Sequence, residues 1–523
     1  MKKSQRRTDM VASRMLVAAA LLTCALARVE TAHAMDLWSD GDASVSLDTT
    51  LQFTGLRRLT PPQPRLLANP NADDGDRAFA SGAVSNRTDV FSELDANYGT
   101  LGVRFSGAFW YDPVYLNRNA NNSPATFNAF TVPVDRFTKP VRTLEGLNGE
   151  LLDGFVHDTF DLDGTQISVR LGRHTLLWGE SLFFGQNSIA AGQAPMDFIK
   201  ADTVPETPAR ELFLPVNQIS GSIQLRPGLS IELYNQFEWR ANRLPGVGSY
   251  FSTSDIVGAG AERFIVAPGQ FLFRNSDEQP GALGEFGAAL HATVDDVDLG
   301  FYALRYNARS PTVSMAGCTG ACNLPGEVGT FRLVYPTGID VFGASASGLV
   351  GNDNIAGEVS IRQGAPLLAR VNLGSSPVPR GDTAHGQVSI VAERPASALW
   401  DRVTLQAEVA ANTLLDTTVD PGGRNPATTR SAAAIQGKVT FDYFHVLPAL
   451  DLSPFVAFDY GIGGVSSVDS EMVGATGNVT IGVEATWRTV WHLEVQATDF
   501  IGSATIQPLA DRNFFSFNAK RTF

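Results

Sequence analysis

The sequence predicts an all-β protein: a transmembrane antiparallel β-barrel of about 18 strands, with long outer loops and short periplasmic turns. Three observations carry this. The strands alternate apolar and polar residues, they are long for soluble strands, and the connections between them alternate between short and long.

The first 34 residues stand apart from this pattern. Lys2, Lys3, Arg6, Arg7 and Arg14 precede the apolar run Met15 to Leu26, and Ala32-His33-Ala34 offers a small-x-small cleavage site. This is the layout of a secretory signal peptide. Cys24 follows Leu22-Thr23, a poor lipobox. The expected mature chain is a single barrel over residues 35–523. No other run approaches the roughly 20 apolar residues of a spanning helix. Removing six Lys/Arg and two Asp/Glu with the leader takes the formal charge from −14 to −18. A surface so acidic excludes nucleic acid as a partner.

Ala43 to Thr54 sets the pattern. Ala43, Val45, Leu47, Leu51 and Phe53 share one face, and Ser44, Ser46, Asp48, Thr50, Gln52 and Thr54 the other. A period of two over about 12 residues exceeds the usual 5–6 of a soluble strand and suits a membrane strand. Leu101 to Asp112, Ile167 to Leu171, Leu229 to Arg240, Val403 to Val409 and Asn478 to Trp487 repeat it. A charged row opposite an apolar row is what a wet lumen and a lipid exterior require.

Short connections fall at Tyr98-Gly99-Thr100, Asp163-Gly164-Thr165, Arg226-Pro227-Gly228, Asp295-Asp296, Pro336-Thr337-Gly338, Pro395 to Leu399, Val446 to Ala449 and Arg488-Thr489. Long ones separate them, including 309–327 and 348–382. Eight short and nine long connections give 18 strands, with both ends on the periplasmic side. This count leaves Ile355 to Arg362 in a loop; if that segment spans, the parity breaks elsewhere and 16 strands is the alternative. Trp110, Tyr111, Tyr234, Trp239, Tyr306, Trp487 and Trp491 fall near strand ends, where interfacial girdles sit. The terminal Phe523, with Phe515 and Phe517 on its parity, resembles the signal read by the barrel-assembly machinery; Arg521 breaks the pattern. Outer-membrane lipid and that machinery are thus the expected partners.

Cys318-Thr319-Gly320-Ala321-Cys322 holds both cysteines left after cleavage. In an oxidising compartment a local disulfide is expected, since no further Cys or His is near enough to complete a metal site. His157, His174, His291, His385, His445 and His492 show no paired ligand spacing, and the Asp-rich stretches 161–163 and 295–298 read as turns. No metal and no cofactor is expected.

The functional candidates concentrate in Gly172 to Pro215. His174 and Ser181 lie close together, but Gly179-Glu180-Ser181 lacks the second glycine of a nucleophile elbow, so an enzyme is not expected. Thr175 to Leu214 carries too many apolar residues, Trp178, Phe183, Phe184 and Ile189 among them, to stand free in water. We expect it to fold inward and bury them on the wall, leaving Glu180, Asp197, Lys200, Asp202 and Arg210 to shape a passage. An outer loop packed on its neighbours is the alternative. Arg173, Glu232, Glu238 and Arg240, by strand parity, His174 as a polar residue at a strand end, and Arg243 beyond them, are the remaining candidates for a channel lining. Arginines facing carboxylates across a lumen make a constriction, although ordinary lumen charge would look the same in the sequence.

Four blocks also resemble a known family: Gly172-Arg173-His174-Thr175-Leu176-Leu177-Trp178-Gly179-Glu180-Ser181, Glu211-Leu212-Phe213-Leu214-Pro215, Leu233-Tyr234-Asn235-Gln236-Phe237-Glu238-Trp239 and Tyr250-Phe251-Ser252-Thr253-Ser254-Asp255. Together they resemble the proteobacterial outer-membrane family catalogued as domain of unknown function 1302. The resemblance implies a porin-like barrel in the outer membrane of a Gram-negative bacterium. It also implies a periplasmic carrier and an inner-membrane permease as partners, and hydrophobic compounds such as steroids, alkanes or lipids as cargo. The expected function is passive transfer of small hydrophobic or amphipathic molecules. A general porin for polar solutes and a barrel hydrolase are the alternatives.

Overall fold

The computed structural model describes residues 35–205, 207, 209–318, 322–370 and 377–523. The expected signal peptide, 1–34, lies outside them. Eighteen strands form the wall: β1 (Ala43–Arg58), β2 (Gly82–Tyr98), β3 (Leu101–Tyr111), β4 (Leu147–Leu162), β5 (Thr165–His174), β6 (Val216–Arg226), β7 (Leu229–Gln236), β8 (Glu285–Val294), β9 (Val297–Tyr306), β10 (Ile339–Val350), β11 (Asp353–Pro366), β12 (Arg380–Arg394), β13 (Arg402–Val419), β14 (Ser431–Leu447), β15 (Leu450–Gly463), β16 (Gly477–Trp487), β17 (Trp491–Ile501) and β18 (Phe514–Thr522). Each pairs antiparallel with the next, and β1 pairs with β18, so the sheet closes without an edge. Closure removes the unpaired backbone groups that an open sheet would expose.

The seam on β1 is filled from two directions. β18 pairs with Thr50 to Arg58. The short strand Met35–Asp40 pairs with Ala43 to Leu47 beyond it. Between them Phe523 and Thr49 exchange backbone hydrogen bonds of 2.9 and 3.2 Å.

The two rows differ as the alternation requires. On β11, Val359 is 61% exposed and Ile361 46%, whereas Glu358, Ser360 and Arg362 between and beside them are buried. β12 repeats this, with Val388 outward and His385, Gln387 and Ser389 buried. The outward row is apolar and bare, the inward row polar and covered, the reverse of a soluble protein. The reading of Trp110, Tyr234 and Tyr306 as girdle residues is corrected by this parity. All three are buried on the inward row, while Tyr111 and Trp487 are outward and exposed. Being near a strand end does not fix which face a ring occupies.

The count of eighteen holds, but one expected member leaves the wall and an uncounted segment takes its place. Ile355 to Arg362 belongs to β11 and pairs along both edges. A two-residue turn, Gly351-Asn352, with Gly351 at φ +67°, links it to β10. Glu327–Val334, expected in the wall, instead joins a separate four-stranded sheet with Arg263–Ala267, Gln270–Arg274 and Thr312–Gly317. Pro336-Thr337-Gly338 therefore ends a long outer connection and is not a tight turn. The misreading has a physical cause: this small sheet buries Leu272, Met315 and Phe331 on one side, so its strands alternate like wall strands. Cys318 and Cys322 form the expected disulfide next to it, with Cα atoms 5.9 Å apart.

The outer connections pack on one another. Phe79, Tyr115, Phe137, Val141, Tyr250 and Phe251 form one buried cluster with Leu56, Val84 and Phe514 from the wall. Beneath it Arg58 reaches Asp76 and Asp511, each at 3.0 Å, and Arg512 reaches Asp76 at 3.1 Å. Among the described residues no helix is long and apolar enough to cross a membrane.

Candidate functional site

The segment 175–215 leaves the end of β5 and returns into β6. Between these points it bonds to strands far around the ring. The carboxylate of Glu358 on β11 accepts the backbone N–H groups of Glu180 (2.7 Å) and Ile189 (2.9 Å). Glu408 on β13 accepts those of Leu182 (3.1 Å), Phe183 (2.5 Å) and Phe184 (2.9 Å). Arg362 donates to the carbonyls of Gln186 (3.0 Å) and Ser188 (2.8 Å). All three wall residues belong to the buried polar row. The segment is thus held by side chains of the wall rather than by its own secondary structure, which consists of short turns of helix such as Ile189–Gly192 and Phe198–Thr203.

Glycines make the contact close enough. Gly179 has φ +96°, and a Cβ there would run into Glu358 Oε2. A Cβ on Gly343 of β10 would meet Ile189 Cδ1 at 2.7 Å, and one on Gly287 of β8 would meet Trp178 Cζ3 at 3.0 Å. The wall therefore provides sockets for Ile189 and Trp178, both almost fully buried. They pack with Tyr234, Tyr302, Leu304, Tyr306, Ile339 and Val341. The Trp178 indole N–H donates to Glu232 at 2.7 Å, so burial of the ring leaves no polar atom unpaired.

A second group is built around Glu150 of β4. Arg240 and Arg243 both hold its carboxylate, and Arg243 also reaches Asp197 at 2.6 Å. Arg173 reaches Glu238 at 3.4 Å and Glu150 at 3.9 Å. Glu238 in turn accepts from the Asn217 backbone N–H at 2.9 Å. Arg243 and Arg87 both lie over the Trp110 ring, at 5.4 and 5.3 Å from its centroid. Asp197 has a further role: its side chain accepts the Lys200 N–H at 3.1 Å and so caps the helix Phe198–Thr203.

Most of the candidate residues meet, but not all in one place. Arg173, Asp197, Glu238, Arg240 and Arg243 gather around Glu150. Trp178 and Glu232 form a separate contact. Glu180 bonds through its side chain to Ser347 at 3.1 Å. Lys200 is buried and donates to Glu211 at 2.7 Å, which turns it away from the arginine group. Asp202 is exposed on its helix. Arg210 falls in the short helix Ala209–Leu212, and its side chain lies outside the described residues. His174 bonds to Ser220 Oγ (2.8 Å) and the Gly172 carbonyl (3.1 Å), and the buried Ser181 hydroxyl has no partner.

Glu150, Glu358 and Glu408 were the residues sequence reasoning passed over. Each is a carboxylate on the polar row of a long strand, beside outward apolar neighbours such as Leu151, Val359 and Val409. That signal marks a lumen position but does not say which distant backbone it will meet.

Two adjoining cavities lie beside this group. One of about 270 Å³ is bounded by Leu144, Asn242, Arg243, Leu244, Arg274 and Tyr335, among others. The other, of about 80 Å³, is bounded by Met196, Asn242, Tyr306, Arg309, Ile339 and Arg362, among others. Asn242 borders both.

A closed ring of strands with an apolar outer row, a polar inner row and a long segment bonded to that inner row defines the class: a large β-barrel of the transmembrane type. Within that class the chain belongs to the family described as "Protein of unknown function (DUF1302)", whose model matches residues 15–523. Similar solved structures include OccAB3 of Acinetobacter baumannii, at 9% identity and TM-score 0.46 over 92% of this chain and 99% of that one. OccAB1 of the same organism is similar at 9% identity and TM-score 0.44, over 95% and 99%. A BenF-like porin from Pseudomonas fluorescens Pf-5 is similar at 9% identity and TM-score 0.41, over 92% and 98%. No curated protein matches the chain.

Proposed function

We propose that the protein is an outer-membrane channel for the passive transfer of small hydrophobic or amphipathic molecules, with 175–214 folded inward to narrow the lumen. The observation that carries this reading is the mixed lining of the two cavities that share Asn242. Each is lined by aliphatic or aromatic side chains together with arginines. A solute with an apolar body and one polar end would find both complements, as small-molecule sites usually offer. The clamp on Glu358 and Glu408 supports a fixed constriction in place of a loop that moves freely.

The leader 1–34 fits export, and the closed barrel with its bare apolar row fits insertion in outer-membrane lipid by the barrel-assembly machinery. A periplasmic carrier and an inner-membrane permease are the partners proposed for delivery onward.

The charged group around Glu150 favours a second reading, a porin for polar solutes. Liposomes containing the purified protein separate the two. Under the first reading they swell slowly in sugars while a labelled sterol or alkane crosses faster than in empty vesicles. Fast swelling with no added sterol or alkane flux would establish the second. A hydrolase would need Ser181 and His174 to act together, but His174 is bonded to Ser220. Ser181→Ala is expected to leave flux unchanged.

A further inference from the structure

We propose that Asp73, Asp74 and Asp255 bind one divalent cation of the calcium type, which fastens the connection between β1 and β2 to the one between β7 and β8. One carboxylate oxygen from each residue lies within 4.8 Å of the others. An ion with oxygen ligands at about 2.3–2.6 Å can bridge oxygens up to about 5 Å apart. The three residues are 0%, 2% and 1% exposed.

Their hydrogen bonds leave the site incomplete. Asp74 accepts from the Asn121 amide at 2.9 Å and the Asn128 backbone N–H at 3.1 Å. Asp255 Oδ2 accepts the Asp74 N–H at 3.2 Å, and Asp73 Oδ2 holds Arg77. Asp73 Oδ1 and Asp255 Oδ1, both buried, have no partner. A further unpartnered group borders a small cavity on the Asp74 side of the three carboxylates. The Thr138 hydroxyl, on a residue 5% exposed, is also unpartnered and borders a cavity of about 20 Å³ together with Asp74 and Asn121. That volume suffices for one small ion or one water molecule.

Charge decides between the occupants. Arg77 is the one guanidinium bonded to the three aspartates among the described residues. Arg263 nearby donates to the Phe127 carbonyl at 2.9 Å and lies 4.2 Å over the Phe271 ring. Three buried carboxylates against one bonded cation keep their charge only with further positive charge, and otherwise take up protons. The donor set is oxygen only, which selects a hard cation, and its irregular arrangement from two chain segments suits calcium better than magnesium. No spacing rule reveals this site, because Asp255 is far from Asp73 and Asp74 in the chain.

The test uses the full-length protein folded in detergent, treated with chelator and dialysed against radiolabelled CaCl2. One Ca2+ per chain is expected, with a dissociation constant of about 10⁻⁴–10⁻³ M as in other extracellular sites. Asp255→Asn keeps the shape and an acceptor for the Asp74 N–H, and should weaken binding by about tenfold or more. Asp36→Asn, on an exposed residue at the other end of the barrel, should not change it. Absence of bound Ca2+ at about 10 mM, or binding that Asp255→Asn leaves intact, overturns the proposal. Should Asp255→Asn not fold, the unaltered protein still decides. CaCl2 must slow hydrogen exchange in residues 71–78 and 252–258, and unchanged exchange there refutes the site.

Discussion

Single residues hold the segment 175–214 in place, and their effects can be separated. Glu358→Ala would leave the N–H groups of Glu180 and Ile189 without their acceptor. Each orphaned buried donor costs about 1–3 kcal/mol. We expect faster hydrogen exchange at these two amides, with the wall strands unchanged; equal exchange in both proteins would show that the clamp does not hold the segment. Gly179→Ala should act in the same direction, because it meets both a positive φ and the Glu358 carboxylate. Glu145 gives a pH signature. It lies in the connection before β4, is buried, and accepts the Gly246 N–H at 2.9 Å. Burial, partly offset by that bond and by Arg87, raises its carboxyl from 4.5 to about 7. The folded protein therefore holds a proton that the unfolded chain releases. Its contribution to stability is fully present below about pH 4.5, is lost as pH rises to about 7, and is flat above. Glu145→Gln should flatten that part of the curve of urea midpoint against pH, and an unaltered slope would assign the effect elsewhere.

At the scale of elements, the segment and the wall are matched surfaces. Trp178 and Ile189 enter sockets made by Gly287 and Gly343, and the backbone between them is bound to β11 and β13. Replacing 181–192 by a short Gly-Ser linker removes the clamped portion but spares Asp197, Arg240 and Arg243. Single-channel conductance in planar bilayers should rise several-fold, and unchanged conductance would show that the segment does not limit the passage. Arg243→Ala tests the other group. It leaves Asp197 without its guanidinium partner and Glu150 with one close arginine fewer, so selectivity should shift toward cations, read as a change in reversal potential across a salt gradient. The small sheet borders the larger cavity through Arg274 and Leu333, but Cys318 and Cys322 are not part of that lining. Its disulfide spans a short loop, and such loops stabilise least in the chain-entropy view. Reduction is accordingly expected to leave conductance unchanged.

At the scale of the whole molecule, the alternation of apolar and polar residues was legible because lipid and water impose it on every strand of the wall. From it came the barrel class; the alternation of short and long connections added the antiparallel order and the total of eighteen. The identity of one strand was not legible. Ile355 to Arg362 and Glu327 to Val334 alternate alike, and only pairing partners distinguish a wall strand from a strand of the outer sheet. The site divides in the same way. Glu238 and Arg240 follow the parity of the inward Tyr234 and Gln236 on β7, whereas Arg173 shares the parity of the exposed Leu171, so its place beside Glu150 was not legible. Lys200 could not be placed, because a loop residue has no such parity and its partner Glu211 becomes a neighbour only through the turn of the segment. Composition alone shows that 175–214 carries apolar residues needing cover and charges needing partners. Which wall strands supply them was decided by the tertiary structure, because β5, β11 and β13 come together through ring closure and not through nearness along the chain.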